Sequence, residues 1–416
     1  MSLSPTIFQM QVQDEERGCL SKMCGCDFFT RSNLTDREVV LKANLKELIV
    51  YIFFLITLSV VIYGMVSPYQ YYYTKSMENI FIDGPGLDDP WVDVDGQASF
   101  WKYAETTFLS GVFDYDETNS LYVYGENKLL SLPRIRQLRV SNKSCEVPLV
   151  FSNSISKCFN IYTKSDEDVN DIDFTSYWTD ESNGSQNYLK ADQLDTLSYR
   201  GELALYSGSG YTQLLNQDKN ISNYILNDLK DNNWIDQSTR VVFIDYTLYN
   251  ANINMFCAVK LVCEFLPTGG IITSNSIQVQ KLLRYVTTKD SVIFGFEIAL
   301  IVFVIYYTVE ELIELSKLRI KYFSDGWNVL DCIILIQALI GMGLSFYRSI
   351  TINSIISEAE AKPDQYVSFE VSLDFIHFIT CSLCIIFTNM DVQRTKCPGT
   401  LGIHFLKQIL INRSTF

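Results

Sequence analysis

The chain has 416 residues, 48% of them hydrophobic, with a formal net charge of −15 and a mean hydropathy of +0.08. That acidic balance excludes a nucleic-acid binder, which needs a basic face. The near-neutral hydropathy averages two kinds of material, long apolar runs and one polar, acidic stretch.

Residues 1–44 form a polar segment with charges of both signs and no apolar core, so no secretory signal peptide is read there. The first transmembrane helix is placed at 45–66, where residues 48–66 run nineteen positions without a charge. That run covers a hydrocarbon core of about 30 Å at about 1.5 Å per residue. It acts as its own signal anchor, and Lys42 and Lys46 just before it put the N-terminus in the cytosol by the positive-inside rule. Cys19, Cys24 and Cys26 then lie on the reducing side, and Asn33, although in a sequon, is expected to be silent. The tract PYQYYYTK, Pro68 to Lys75, reads as an aromatic belt at the membrane surface.

No comparable apolar run begins before Val292, so residues 67–290 read as an extracellular or lumenal domain by size. Within it, residues 69–290 carry 29 Asp+Glu against 18 Lys+Arg, so most of the chain's negative charge sits there and draws cations to its surface. Helix and strand signals are mixed, which predicts an α/β domain. Residues 100–111 and 222–230 fit short helices. Residues 240–249 and 255–265 are rich in β-branched and aromatic residues and read as strands around a YNANIN turn. Residues 134–140 alternate apolar and basic, the pattern of a half-exposed strand. The acidic tract 165–173 reads as a mobile, solvated loop, since it lacks the spacing and glycine of an EF-hand. Cys145 and Cys158 lie thirteen apart in a polar stretch on the oxidising side. They are read as a disulfide worth about 3 kcal/mol, the alternative being two free thiols. Cys257 and Cys263 sit in an apolar run and read as core. Asn142, Asn183 and Asn220 head sequons and are the glycosylation candidates.

Residues 291–388 are read as three further spans, at 291–313, 327–347 and 371–388. Lys317, Arg319 and Lys321, with Arg394 and Lys396, place both flanking segments in the cytosol. The expected topology is four spans in a voltage-sensor-like bundle with both ends inside, followed by a divergent tail at 389–416. Glu297 lies within the second span; an outer-end position or a polar partner accounts for it without a functional role. Glu311 and Glu314 are spaced i, i+3, as are Asn328 and Asp331 on the next helix. A short antiparallel link would bring those faces together, giving three carboxylates and an amide suited to Ca²⁺. Alternatively the acids mark the membrane boundary and pair with Lys317, Arg319 or Lys321. The chain is read as no enzyme: it has no Walker A loop, HExxH, GxSxG or paired CxxC set, and its two histidines, His377 and His404, leave little for a histidine centre.

Taken together, these landmarks resemble the polycystin branch of TRP-type cation channels from about Leu41 to Phe387. The stretches that carry the likeness are LKANLKELIVYIFFLITLSVVIYGMVSPYQYYYTKSM, LPRIRQLRVSNKSC, YSGSGY, FIDYTLYNANINMFC, FLPTGG, KLLRYVTT and YYTVEELIELSKLRIKYFSDGWNVLDCII. The resemblance implies a nonselective, calcium-permeable cation channel, built as a homo- or hetero-tetramer of polycystin-type subunits in a lipid bilayer. It implies that the Cys145–Cys158 pair is the family's disulfide, and that Glu311, Glu314, Asn328 and Asp331 are the family's Ca²⁺ ligands. The plasma membrane, cilium and endoplasmic reticulum are all compatible locations. The likeness fades after Thr388: the remaining 28 residues match no fourth span, pore helix or filter. The given chain is therefore expected to be a C-terminally truncated form that does not conduct alone. Two other roles compete, a non-conducting, dominant-negative partner of full-length subunits and a glycosylated membrane receptor.

Overall fold

The computed structural model describes residues 37–65, 67–113, 122–142, 144–172, 185–324, 326–361, 365–367 and 369. The fourth predicted span, Asn183 and the segments 1–36 and 389–416 lie outside the described residues. Helices run over Arg37–Met65 (α1), Tyr69–Phe81 (α2), Gln97–Tyr103 (α3), Leu109–Val112 (α4), Ala191–Leu194 (α5), Lys219–Asp231 (α6), Thr288–Leu318 (α7) and Gly326–Ala361 (α8). Strands are Tyr122–Val123 (β1), Asn127–Leu129 (β2), Arg134–Arg139 (β3), Tyr188–Leu189 (β4), Tyr199–Arg200 (β5), Leu205–Tyr206 (β6), Gly210–Leu214 (β7), Thr239–Asn250 (β8), Met255–Phe265 (β9) and Ile271–Gln280 (β10). Described residues of 67–284 and 346–369 form one compact unit, and those of 37–65 and 285–345 another.

The first unit is built on an antiparallel meander, β8–β9–β10. β8 and β9 are the two runs richest in Val, Ile, Phe and Tyr, and they pair along their whole length from Val241↔Glu264 to Asn250↔Met255. The turn between them falls on the NANIN tract. There the Asn250 Oδ1 accepts from the Asn252 and Ile253 amides, and Asn254 takes φ +51°, a conformation asparagine tolerates. The other edge of β8 pairs with β3 and then with β2. Pro133, with no N–H to give, falls in the gap between those two strands. β7 and β4 extend the sheet beyond β3. Gly210 opens β7 at φ +135°, and a Cβ there would lie 2.3 Å from the Gln137 carbonyl oxygen, so no other residue fits.

One face of the sheet carries Ile135, Val242, Ile244, Tyr246, Val259 and Leu261, and these pack against α2, α3, α4 and α6. α3 passes into α4 through a π turn at Ala104–Phe108. Helix α6 is amphipathic: Asp218 caps it by accepting from the Asn220 and Ile221 amides, and Ser222, Ile225, Leu226 and Leu229 face the core. The PYQYYYTK tract enters α2. Tyr71 and Tyr72 are exposed as a belt requires, but Tyr73 and, further on, Met77 and Phe81 are core residues.

The opposite face corrects one expectation. β3 is not half-exposed; all six of its residues are buried. The segments 141–172 and 185–209 cover the face that carries Arg134, Arg136 and Leu138, and Tyr162 and Tyr206 close a second small core with Val241, Phe243 and Val262. The acidic tract is likewise not a simple solvated loop. Glu167 bridges to Val140, and its carboxylate accepts hydroxyls from Tyr162, Tyr188, Ser207 and Ser209 at 2.6–3.0 Å. Cys145 and Cys158 are joined by a disulfide with Cα atoms 5.5 Å apart, and Cys257 and Cys263 are buried thiols. A third cluster sets Phe256 and Leu282 against Ile352 and Ala359 of α8 and against Val367 and Phe369 beyond it.

In the second unit α1 packs along α7. Phe54 meets Phe303 and Tyr307 edge-on at 5.6 and 6.0 Å, and a Cβ on Gly64 would lie 2.7 Å from Ile293. Small residues permit such close helix approach in membranes. Among the described residues three helical stretches are long and apolar enough to cross a bilayer: Ile52–Phe81, Thr288–Phe323 and Leu335–Ala359. Along α7, Val302, Ile305, Val309 and Leu312 are exposed, an arrangement suited to lipid and costly in water.

Candidate functional site

Two of the residues that the sequence singles out for cation binding, Glu311 and Asn328, come together at the junction of α7 and α8 through Tyr322. α7 starts from a reciprocal cap in which Thr287 Oγ1 accepts from the Asp290 amide and Asp290 Oδ2 from the Thr287 amide. It ends at Leu318. Arg319, at φ +51°, breaks the helix, and a single 3₁₀ stretch, Arg319–Ser324, leads into α8.

Tyr322, the centre of that link, is fully buried. Its hydroxyl donates to Glu311 Oε2 at 2.5 Å and lies 3.1 Å from the Asn328 carbonyl oxygen and 3.6 Å from Cys332 Sγ. The Asn328 side-chain amide in turn donates to the Tyr322 carbonyl oxygen at 3.3 Å. One turn residue thus draws Glu311 of α7 and Asn328 of α8 together. Glu314 stands half-buried one helical turn beyond Glu311. Asp331 lies on α8, and its side chain is outside the described set. Among the described residues no group of three or more His, Cys, Asp or Glu side chains is arranged to hold a metal ion. Lys317, Arg319 and Lys321 are all exposed. The oxygen donors present, a carboxylate and an amide fixed on adjoining helices, suit a hard cation in kind. Tyr322 itself carries no sequence signal, since a tyrosine in a polar link reads as a boundary aromatic.

Glu297 is not isolated in its span. Its carboxylate accepts the hydroxyl of Tyr285, just before α7, which gives it a polar partner on its own segment.

The sheet-bearing unit contains a buried charge cluster that sequence reasoning did not anticipate. Asp245 of β8 lies 3.0 Å from the Arg134 guanidinium and 3.9 Å from Lys260 Nζ. Burial pushes the Asp245 carboxyl up, but Lys260, Arg134 and Arg136 together outweigh it and hold the group below the usual carboxylate range. The Arg136 guanidinium stacks 4.1 Å from the Phe243 ring centre and donates to the Ser207 and Ser209 carbonyls. Glu264 accepts from the Glu202 and Leu203 amides and from the Tyr206 hydroxyl. Burial raises the Tyr162 phenol to about 12. These groups tie the covering loops to the sheet, and among the described residues they are buried away from solvent rather than lining an open site.

Residues 91–283 match the family model described as Polycystin domain, and residues 284–394 match the one described as Polycystin cation channel. Human Polycystin-2-like protein 1 is 37% identical over 353 residues, 82% of this chain and 43% of that protein. Polycystin-2 of Danio rerio is 35% identical over 367 residues, 85% of this chain and 40% of that protein. Polycystin-2 of Caenorhabditis elegans is 31% identical over 350 residues, 81% of this chain and 47% of that protein. The chain therefore spans less than half the length of these relatives.

Proposed function

The chain belongs to the polycystin family of cation channels, integral membrane proteins that are not enzymes and that work as multi-subunit assemblies; from that membership we propose that it is a subunit of a nonselective, calcium-permeable channel. The observation that carries this reading is the tiling of the two family models, which run without a gap from residue 91 to residue 394. The 416 residues supply an outer domain and sensor-like spans. The pore is assigned to segments beyond them or to partner subunits, so these residues by themselves are read as non-conducting. The assembly is proposed to be a homo- or hetero-tetramer with polycystin-type subunits, with the outer domain on the far side of the membrane from the cytosol and sugars on Asn142, Asn183 and Asn220.

Calcium regulation is assigned to the α7–α8 junction, where Glu311, Glu314, Asn328 and Asp331 would hold the ion. When bound, Ca²⁺ supplies a charge that several oxygens share, tying the two helices together. The chain's own contribution is positional. Tyr322 fixes the Glu311 carboxylate and the Asn328 amide on adjoining helices.

Co-expression with a full-length polycystin-2-type subunit tests the assembly reading. Co-purification, with a change in current amplitude or gating, is expected. Unchanged currents with no association would sink it. Patch-clamp recording of the 416-residue chain alone, with surface expression verified, tests the other half; a robust cation current would overturn the statement that it does not conduct.

A further inference from the structure

The link between α7 and α8 exposes two large apolar side chains at the end of a stretch fit to cross a bilayer, Thr288–Phe323. Ile320 is 90% exposed and Phe323 56%. Both belong to the 3₁₀ stretch Arg319–Ser324, where residues three apart eclipse one another, so they share one face. Tyr322, between them, points the other way: it is fully buried, and its ring backs the Phe323 ring edge-on at 5.4 Å. A fixed neighbour thus holds the apolar pair outward, where exposure to water is unfavourable. Three exposed cations flank the pair, Lys317, Arg319 and Lys321. The opposing charges are Glu310, Glu311 and Glu314 on the last turns of α7, all half-buried. Glu311 accepts the Tyr322 hydroxyl and Glu310 that of Tyr306. Among the described residues neither Lys317 nor Arg319 is ion-paired with any of these acids. The acids therefore lie toward the span and the cations beyond it, which leaves the outermost part of the link positive.

A solvated run of charges accounts for the cations but not for the apolar pair set among them. From this juxtaposition we propose that the α7–α8 link docks on anionic phospholipid headgroups. Ile320 and Phe323 enter the boundary between headgroups and acyl chains, and Lys317, Arg319 and Lys321 meet the lipid's negative groups. The positive-inside rule assigns this end of the spans to the cytosol, and the cytosolic leaflet is the one that carries anionic lipid. The proposal rests on the reading of α7 and α8 as spans and not on any bound metal ion.

The test is native mass spectrometry of the purified 416-residue chain in detergent, titrated separately with phosphatidylserine and phosphatidylcholine, alongside a circular-dichroism melt of each variant. The tightest-bound lipid of the wild type is expected to be phosphatidylserine. Each Lys or Arg near an anionic surface contributes about fivefold to binding, so Lys317→Gln alone should cut the preference by about that factor. The triple variant Lys317→Gln, Arg319→Gln, Lys321→Gln should cut it by about 100-fold. Lys317→Arg with Lys321→Arg should keep it, because charge rather than side-chain shape is read. Ile320→Ser with Phe323→Ser should weaken the phosphatidylserine site by at least about 10-fold through lost apolar burial. A wild type with no preference for phosphatidylserine would overturn the proposal. So would a triple variant that melts as the wild type does and stays within about twofold of its preference. Should the triple variant melt lower, the single Lys317→Gln and the arginine pair decide: an unchanged preference in the first, or a lost one in the second, overturns docking by charge. Unaltered binding in the serine pair would show that the apolar side chains do not enter lipid, and the docking fails as stated.

Discussion

Replacing Asp245 with asparagine should destabilise the sheet-bearing domain severely. The side chain keeps its shape but loses its charge, leaving Arg134 and Lys260, each under 10% exposed, beside a neutral amide. Two opposite charges about 4 Å apart interact by about 4 kcal/mol at an effective dielectric of about 20. Removing one partner of a buried pair costs about 3–5 kcal/mol, because the other charge stays desolvated. For a domain of this size each kcal/mol moves the melting temperature by about 2–4 °C, so a fall of about 6–20 °C is expected. The assay is a thermal melt of the detergent-purified chain, followed by size-exclusion recovery of folded protein. A second substitution, Lys260→Gln, should recover part of the loss, since it removes one stranded cation. The sign of the pH dependence follows from the depressed Asp245 carboxyl. Its stabilisation is complete above the unfolded carboxylate value, about pH 4, and is lost as pH falls through the lower folded value. The gap between wild type and variant should therefore close under strong acid. A shift below about 2 °C at neutral pH, or no recovery on adding Lys260→Gln, would refute the view that this cluster is held by charge.

Reduction of the Cys145–Cys158 disulfide, or Cys158→Ser, should cost about 3 kcal/mol by freeing a loop of this length in the unfolded chain, read as a lower melt under reducing conditions that the variant no longer shows. Gly64→Leu should cost about 1–3 kcal/mol in the α1–α7 pair, because even a Cβ meets three Ile293 atoms within 3.0 Å; Ile293→Ala should relieve most of it in the same size-exclusion assay. Asn142 and Asn220 are both exposed, so Asn142→Gln and Asn220→Gln should each remove one glycosidase-sensitive step in gel mobility, and an unchanged ladder in both would reject those two sites.

What the sequence made legible was local. β8 and β9 announce themselves because each is a long run of β-branched and aromatic residues with turn chemistry between them. α6 was legible as a short helix over 222–230, and the structure adds the Asp218 cap and its first turn at Lys219. β10 was not legible. IITSNSIQVQ carries too few large apolar residues to stand out, and it is a strand because it pairs with all of Phe256–Phe265. β3 was legible as a strand but not in its burial. The segments that cover Arg134 and Arg136 come from 141–172 and 185–209, and nothing in RIRQLR reveals them. At the junction the spacing of Glu311, Glu314, Asn328 and Asp331 could be read directly, whereas Tyr322 could not. Its position depends on where Arg319 breaks α7, a backbone property with no compositional trace.

The buried charges also change how the acidic composition should be understood. Arg134, Arg136, Arg139, Arg240 and Lys260 are buried, so five of the 18 basic residues in 69–290 contribute little to the solvent-facing field. Among the described acidic residues of 69–290, Asp245, Glu264 and Asp290 are the ones buried alongside them. Among the described residues, folding thus withdraws cations from the surface in greater proportion than anions. Cationic side chains do this at a tolerable cost because each lies against carbonyls, a carboxylate or a ring face: Arg240 donates to the Phe159 and Asn160 carbonyls, Arg139 to Asp236, and Arg136 stacks on Phe243. The same arrangement that locks the covering loops onto β3 therefore leaves the described solvent-facing surface with a field that enriches cations.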